Sequence, residues 1–188
     1  MILGLTGKNA SGKGEAANYL KSKGFVYYSL SDMIREEATK RNLEHSRENL
    51  IELGNELREK YGPGCLAQKI NNEMNNCKKI FQKKKFFVID SIRSPHEVNE
   101  LKKNKSFLLI GIDAPIELRF NRLRERNRVG DAKTFEEFKQ QEQRENLKSD
   151  INQQLDATFG MAKKVIVNYG SLEELHKKID KLLLELEK

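Results

Sequence analysis

Short apolar runs alternate with stretches of helical period along this chain. Ile2 to Leu5 reads as a buried strand, followed by a glycine-rich turn and a helix from about Gly12 to Lys23. Phe25 to Tyr28 reads as a second strand, and residues 31–77 are helical, with breaks near Glu44 to Arg47 and at Gly62-Pro63-Gly64. Phe86 to Ile89 is a third strand. A helix is expected near Ser94-Pro95, with proline in its first turn. Phe107 to Ile112 is a fourth strand that leads into a helix at Pro115, and Val165 to Val167 is a fifth. An Asn168-Tyr169-Gly170 turn then precedes a last helix from Ser171, whose Leu172, Leu175, Ile179, Leu182 and Leu186 stripe is expected to face the core. Strands alternating with helices predict an α/β domain with a parallel five-stranded sheet covered on both faces. Residues 31–77 and 127–147 stand out as helical insertions into it.

At 188 residues the chain fits one domain with a core of its own. No apolar run reaches the 18 or so residues of a membrane span, and no basic segment with a cleavage site opens the chain. Cys65 and Cys77 lack any partner motif and read as ordinary thiols of a cytoplasmic protein. A secreted, disulfide-stapled, membrane-spanning or zinc-finger protein is therefore not expected. The excess of 35 basic over 28 acidic residues, a net charge of +7, suits an anionic partner. Lys78, Lys79, Lys83, Lys84 and Lys85 form one basic cluster before the third strand, read as a solvated face. Arg119, Arg122, Arg124, Arg126 and Arg128 form another at a strand-to-helix exit.

The strongest chemical signal is Gly7-Lys8-Asn9-Ala10-Ser11-Gly12-Lys13-Gly14. It fits G-x-x-x-x-G-K between an apolar strand and a helix, the context a phosphate-binding loop requires. Glycines let backbone N–H groups turn inward around a polyphosphate, and the helix aims its positive end at it. Lys13 then reaches the β- and γ-phosphates. Gly14 stands where many such loops carry the Ser or Thr that ligates Mg²⁺. Asp90 ends the third strand at the C-terminal edge of the sheet, where α/β folds bind ligands, although a helix N-cap is the other reading of an aspartate there. Arg122 and Arg126 are four residues apart and share a helix face, and guanidinium forks suit phosphate oxygens. By themselves Arg35 reads as an exposed helix arginine and Arg144 as a surface charge.

Several segments resemble adenylate kinases. The Gly12-Lys13-Gly14 ending is similar to their G-K-G-T, with Glu15 departing from the Thr. Asp32-Met33-Ile34-Arg35 resembles their D-M-L-R, which implies that Arg35, with Asp32 beside it, contacts the acceptor phosphate. Asp90-Ser91-Ile92-Arg93 resembles D-G-F-P-R, implying that Asp90 holds Mg²⁺ through water and that Arg93 grips the acceptor. Pro115-Ile116-Glu117 with Arg122 and Arg126 resembles the entry to the adenylate kinase lid, which implies Arg144 as a returning lid arginine. An acceptor grip for Arg35 and a lid role for Arg144 are implied only by this resemblance.

These segments together, with Leu57-Arg58-Glu59 and Asn168-x-Gly170-Ser171, look like an archaeal family of P-loop nucleotide-kinase-like proteins. They also resemble the kinase-like domains fused to some dCMP deaminases and, more distantly, dephospho-CoA kinases. The resemblance implies a three-layer P-loop kinase fold. Its core spans about 1–30, 78–126 and 148–188, with an acceptor-binding insertion at 31–77 and a lid at 127–147. It implies ATP and Mg²⁺, with residues 7–15 around the donor and Lys13, Asp90, Arg93, Arg122 and Arg126 around the transferred group. The implied reaction moves the γ-phosphoryl of ATP to a nucleoside or deoxynucleoside monophosphate. One alternative is phosphorylation of a hydroxyl, as in dephospho-CoA, with Asp32 as base. Another is an ATPase switch or RNA-associated assembly factor. Against nucleic acid stand the missing RNP motif and Trp, with only 7% aromatics. A small-molecule acceptor, no membrane, and a monomer or weak dimer complete the expectation.

Overall fold

A computed structural model describes residues 1–81, 86–127, 130–144 and 154–186, of which 78–81 and 144 are described in backbone only. Five strands, β1 (Ile2–Thr6), β2 (Val26–Ser29), β3 (Phe87–Asp90), β4 (Phe107–Asp113) and β5 (Lys164–Val167), form one parallel sheet in the order β2-β3-β1-β4-β5. All five residues of β1 are buried, as a central strand covered on both faces must be. Its two neighbours, β3 and β4, continue the chain toward opposite edges. The turn after β1 therefore opens at the point where the strand order reverses, which is where ligands bind in such sheets.

The helices are α1 (Lys13–Ser22), α2 (Leu30–Lys40), α3 (Arg47–Tyr61), α4 (Cys65–Phe81), α5 (Pro95–Leu101), α6 (Ile116–Arg126), α7 (Phe135–Arg144), α8 (Leu155–Gly160) and α9 (Leu172–Leu186). Side-chain alternation along the strands sorts the core. Ile2, Ile89 and Leu109 pack with Ile34, Leu53, Ile70 and Met74 of α2, α3 and α4 on one face. Leu3, Leu5 and Ile110 pack with Leu20 of α1 and with Leu175, Ile179 and Leu182 of α9 on the other. A third, small core joins Leu123 of α6, Phe138 of α7 and Ala132 in the turn before α7, with Ala10 against it. Ser29 and Ser46 cap α2 and α3 by accepting from Asp32 N and Asn49 N at 3.2 Å each. Ser94 and Glu97 close a capping box on α5.

Besides one-residue shifts at the ends of β1, β3, β4 and β5, three details differ from the pattern reading. β2 runs from Val26 to Ser29 because Ser29 pairs with Asp90 across the ladder, while Phe25 stays buried just outside it against Phe86. Leu172 is 54% exposed rather than part of the α9 core stripe, since the helix begins at the rim of the sheet. The short helix α8 follows a segment without apolar period and was not legible. Among the described residues no helix is long and apolar enough to cross a membrane.

Candidate active site

The loop after β1 is built by two glycines whose conformations exclude a side chain. Gly7 has φ +147°, and a Cβ there would lie 2.1 Å from the Ile112 carbonyl oxygen of β4. Gly12 has φ +102°, and its Cβ would meet Asn168 Nδ2 at 2.3 Å. Asn168, at the end of β5, donates from that nitrogen to Ser11 O at 3.0 Å. The loop thus lies close against β4 and is fastened to the end of β5. Gly12 caps α1, so the loop sits on that helix's positive end.

Lys13 Nζ donates to Lys8 O across the loop at 2.9 Å. Asn9, Ala10, Gly12, Lys13, Gly14 and Glu15 line an open cleft of about 1180 Å³. Gly7 and Ser11 form the loop's buried underside, and the Lys8 ammonium faces Asp156 of α8 at 3.4 Å.

The same cleft takes in Asp32, Arg35, Asp90, Arg93, Arg122 and Arg126. Asp90 is 7% exposed, and its Oδ1 accepts from Ser91 N at 2.6 Å, with Ser91 at φ +64°. Arg93 follows on the same loop. Its N–H donates to Glu97 Oε2 at 2.8 Å and its carbonyl accepts from Gln154 N at 2.9 Å. Arg35 is forward on α2, ion-paired with Asp32 at 2.7 Å. Arg122 Nη2 donates to Asn168 O and Gly170 O at 3.3 Å each. Its partial burial pulls the guanidinium below its ordinary value, and its buried Nη1 has no hydrogen-bond partner among the described residues. Arg126 forks onto Asp131 at 2.6 and 2.8 Å and donates to Asn9 Oδ1 at 3.1 Å. The side chains of Arg144 and of the lysine cluster at 78–85 lie outside what is described, as does Arg128 altogether. Arg119, grouped with these arginines by sequence, is instead buried beneath the loop.

The pattern reading did not pick out Tyr27, Glu97 or Glu142, and Arg58 entered it only within Leu57-Arg58-Glu59, without a role. Tyr27 reads as an alternating strand residue, yet its hydroxyl lies in the cleft 3.4 Å from Asp32 Oδ2. Burial, with Asp90 and Asp32 nearby, pushes the phenol up to about 12 from an ordinary value near 10. It is therefore neutral at physiological pH. A raised folded-state value means stability that is complete below pH 10 and lost as pH climbs through 12. Tyr27→Phe should flatten the fall in melting temperature across that alkaline window and leave stability near pH 7 nearly unchanged. Thermal melts at a series of pH values check this.

Arg58 of α3, which lines the cleft, and Glu97 of α5 form a buried ion pair at 3.0 Å. The Ser94-x-x-Glu97 spacing was a legible capping signature, but nothing local revealed that its glutamate also takes an arginine.

Residues 6–139 match the model of an AAA domain family. Over 99% of its length this chain is 34% identical to the UPF0200 protein of Pyrococcus abyssi, covering 97% of that protein. With the corresponding protein of Pyrococcus horikoshii the identity is 33%, over the same shares of both chains. Among solved structures, TT1252 from Thermus thermophilus is similar with a TM-score of 0.57 at 20% identity, over 99% of this chain and 97% of that one. Shikimate kinase from Aquifex aeolicus is similar with a TM-score of 0.51 at 19% identity, over 100% and 96%. Fold and loop together define a protein of the P-loop kinase fold, as the motif set anticipated. The chain belongs to the UPF0200 family.

Proposed function

We propose that this protein is an ATP-dependent phosphotransferase acting on a small anionic acceptor, with a nucleoside or deoxynucleoside monophosphate as its preferred substrate. One observation carries the reading. The phosphate loop with Lys13, and Asp90 at the head of β3, share a single cleft with Arg35 and Arg93 on the acceptor side. Phosphoryl transfer is mostly positioning and charge neutralisation, and that cleft supplies both.

In this mechanism the loop N–H groups and Lys13 hold the β- and γ-phosphates, while Arg93 and Arg35 hold the acceptor phosphate in line. Arg122 and Arg126 approach the donor from α6. A phosphate oxygen is already ionised at neutral pH, so no side chain has to remove a proton. The donor set fits Mg²⁺, which keeps most of its waters and needs only one or two carboxylates beside phosphate oxygens. Asp90 would hold it through water, and a Cβ added at Gly14 would meet nothing within 4 Å, so nothing crowds that side. The ion would neutralise charge on the transferred group.

A second reading has its own support. The Asp32 carboxylate lines the same cleft, oriented by Arg35 and Tyr27, where a hydroxyl acceptor would need a base. Coupled ADP formation with Mg-ATP separates the two, tested with AMP, CMP, GMP, UMP, their deoxy forms and dephospho-CoA. Turnover above the acceptor-free rate with one monophosphate is the expected result. Turnover with dephospho-CoA alone would replace it with hydroxyl phosphorylation. Hydrolysis with every acceptor silent would overturn the kinase reading in favour of an ATPase.

A further inference from the structure

We propose that Glu142 is a positioning residue for nucleotide binding: through Arg119 it fixes the Asn9–Ala10 peptide of the phosphate loop, so the anion-binding form of that loop depends on α7. The proposal rests on the nucleotide-binding reading and extends it to a residue remote from the phosphates.

Arg119 is 3% exposed and bridges three parts of the fold. Its Nε donates to Ala114 O, between β4 and α6, at 2.9 Å. Its Nη1 donates to Asn9 O in the phosphate loop at 3.3 Å. Both terminal nitrogens fork onto the buried carboxylate of Glu142 on α7. The Phe138 ring, also on α7, lies over the guanidinium, 5.4 Å from its carbon to the ring centroid.

A planar peptide points its C=O and N–H in opposite directions. Holding Asn9 O against a buried arginine therefore turns the Ala10 N–H the other way, toward the cleft that Ala10 lines. Ala10 itself sits at φ +58°, a left-handed conformation that a residue with a Cβ keeps only when its surroundings impose it. Those surroundings are again α6 and α7, with the turn before α7, since Ala10 packs against the cluster of Leu123, Ala132 and Phe138. Charge and geometry make opposite predictions here. If Glu142 acted by its charge alone, removing it would leave more positive potential beside the phosphates and tighten nucleotide binding. If it acts by holding Arg119, removing the fork loosens the loop and weakens binding.

Calorimetric titration of the full chain with Mg-ADP at 25 °C tests this, together with thermal melts. Glu142→Gln keeps size and removes charge; Glu142→Asp keeps charge and shortens the reach. Leu182→Ala, in the α9 core away from the loop, supplies a destabilised comparison. The expected result is wild-type affinity in Leu182→Ala despite a lower melting temperature, and affinity about tenfold weaker in both Glu142 variants. Glu142→Asp also carries the test if Glu142→Gln does not fold. Unchanged or tighter binding in a folded Glu142 variant overturns the proposal, as does equal weakening in Leu182→Ala. Wild type that does not bind Mg-ADP overturns the nucleotide-binding reading itself, a separate failure.

Discussion

Lys13→Ala should lower ATP-dependent phosphoryl transfer by about 10²–10³-fold while moving the melting temperature by no more than about 2 °C. The asymmetry follows from where the ammonium sits. It lies in the cleft at the start of α1, donating to the carbonyl of Lys8 at 2.9 Å, a bond that water can replace in the variant. Against a γ-phosphate water is a poor substitute. The lysine charge grows in worth as negative charge shifts toward the bridging oxygen, and its loss falls on the transition state. The check is the coupled ADP assay at saturating acceptor beside a thermal melt. A variant that keeps more than a tenth of wild-type turnover would remove Lys13 from the chemistry.

Glu97→Ala carries the largest expected stability effect, about 3–5 kcal/mol, or a melting temperature lower by roughly 10 °C. Glu97 is fully buried and accepts from Arg58 Nη2 at 3.0 Å, Arg93 N at 2.8 Å and Ser94 N at 3.1 Å. Its removal leaves the 3% exposed Arg58 without a counter-charge and orphans two backbone donors at the start of α5. The penalty for an unpaired buried charge dominates, so an apolar partner should restore part of the loss. Arg58→Met combined with Glu97→Ala is expected to melt above Glu97→Ala alone. If the double variant melts lower still, the cost lies in packing volume and in the capping box, not in charge. The same network sets the backbone of Arg93, so acceptor KM should rise in Glu97→Ala while ATP KM changes little.

The phosphate loop and the strand that precedes it were legible for a local reason. A loop of this kind is contiguous in sequence, and its glycines, lysine and flanking apolar strand appear within the first 20 residues. The place of Asp90 at the edge of the sheet was legible likewise, because the end of a buried strand is visible as the end of an apolar run, whereas Arg93 was reached only through the resemblance of Asp90-Ser91-Ile92-Arg93 to a known motif. The arginines of α6 were harder. Spacing puts Arg119, Arg122 and Arg126 near one another, but it does not say which is consumed by the fold. Arg119 is held by Glu142, 23 positions away, and Arg58 by Glu97, 39 away, and such pairings leave no periodic trace.

Hydrophobic periodicity and glycine placement, read from the chain alone, determined a parallel α/β sheet, a phosphate loop after its first strand and a set of cationic residues downstream. These properties depend on neighbours within a turn or two, where backbone sterics and side-chain period act. Which cations face the cleft, which are neutralised beneath it, and that Tyr27 stands beside Asp32, only the tertiary structure decided. Burial makes an unpaired charge costly, so each buried arginine takes whatever carboxylate the packing of distant helices brings within reach.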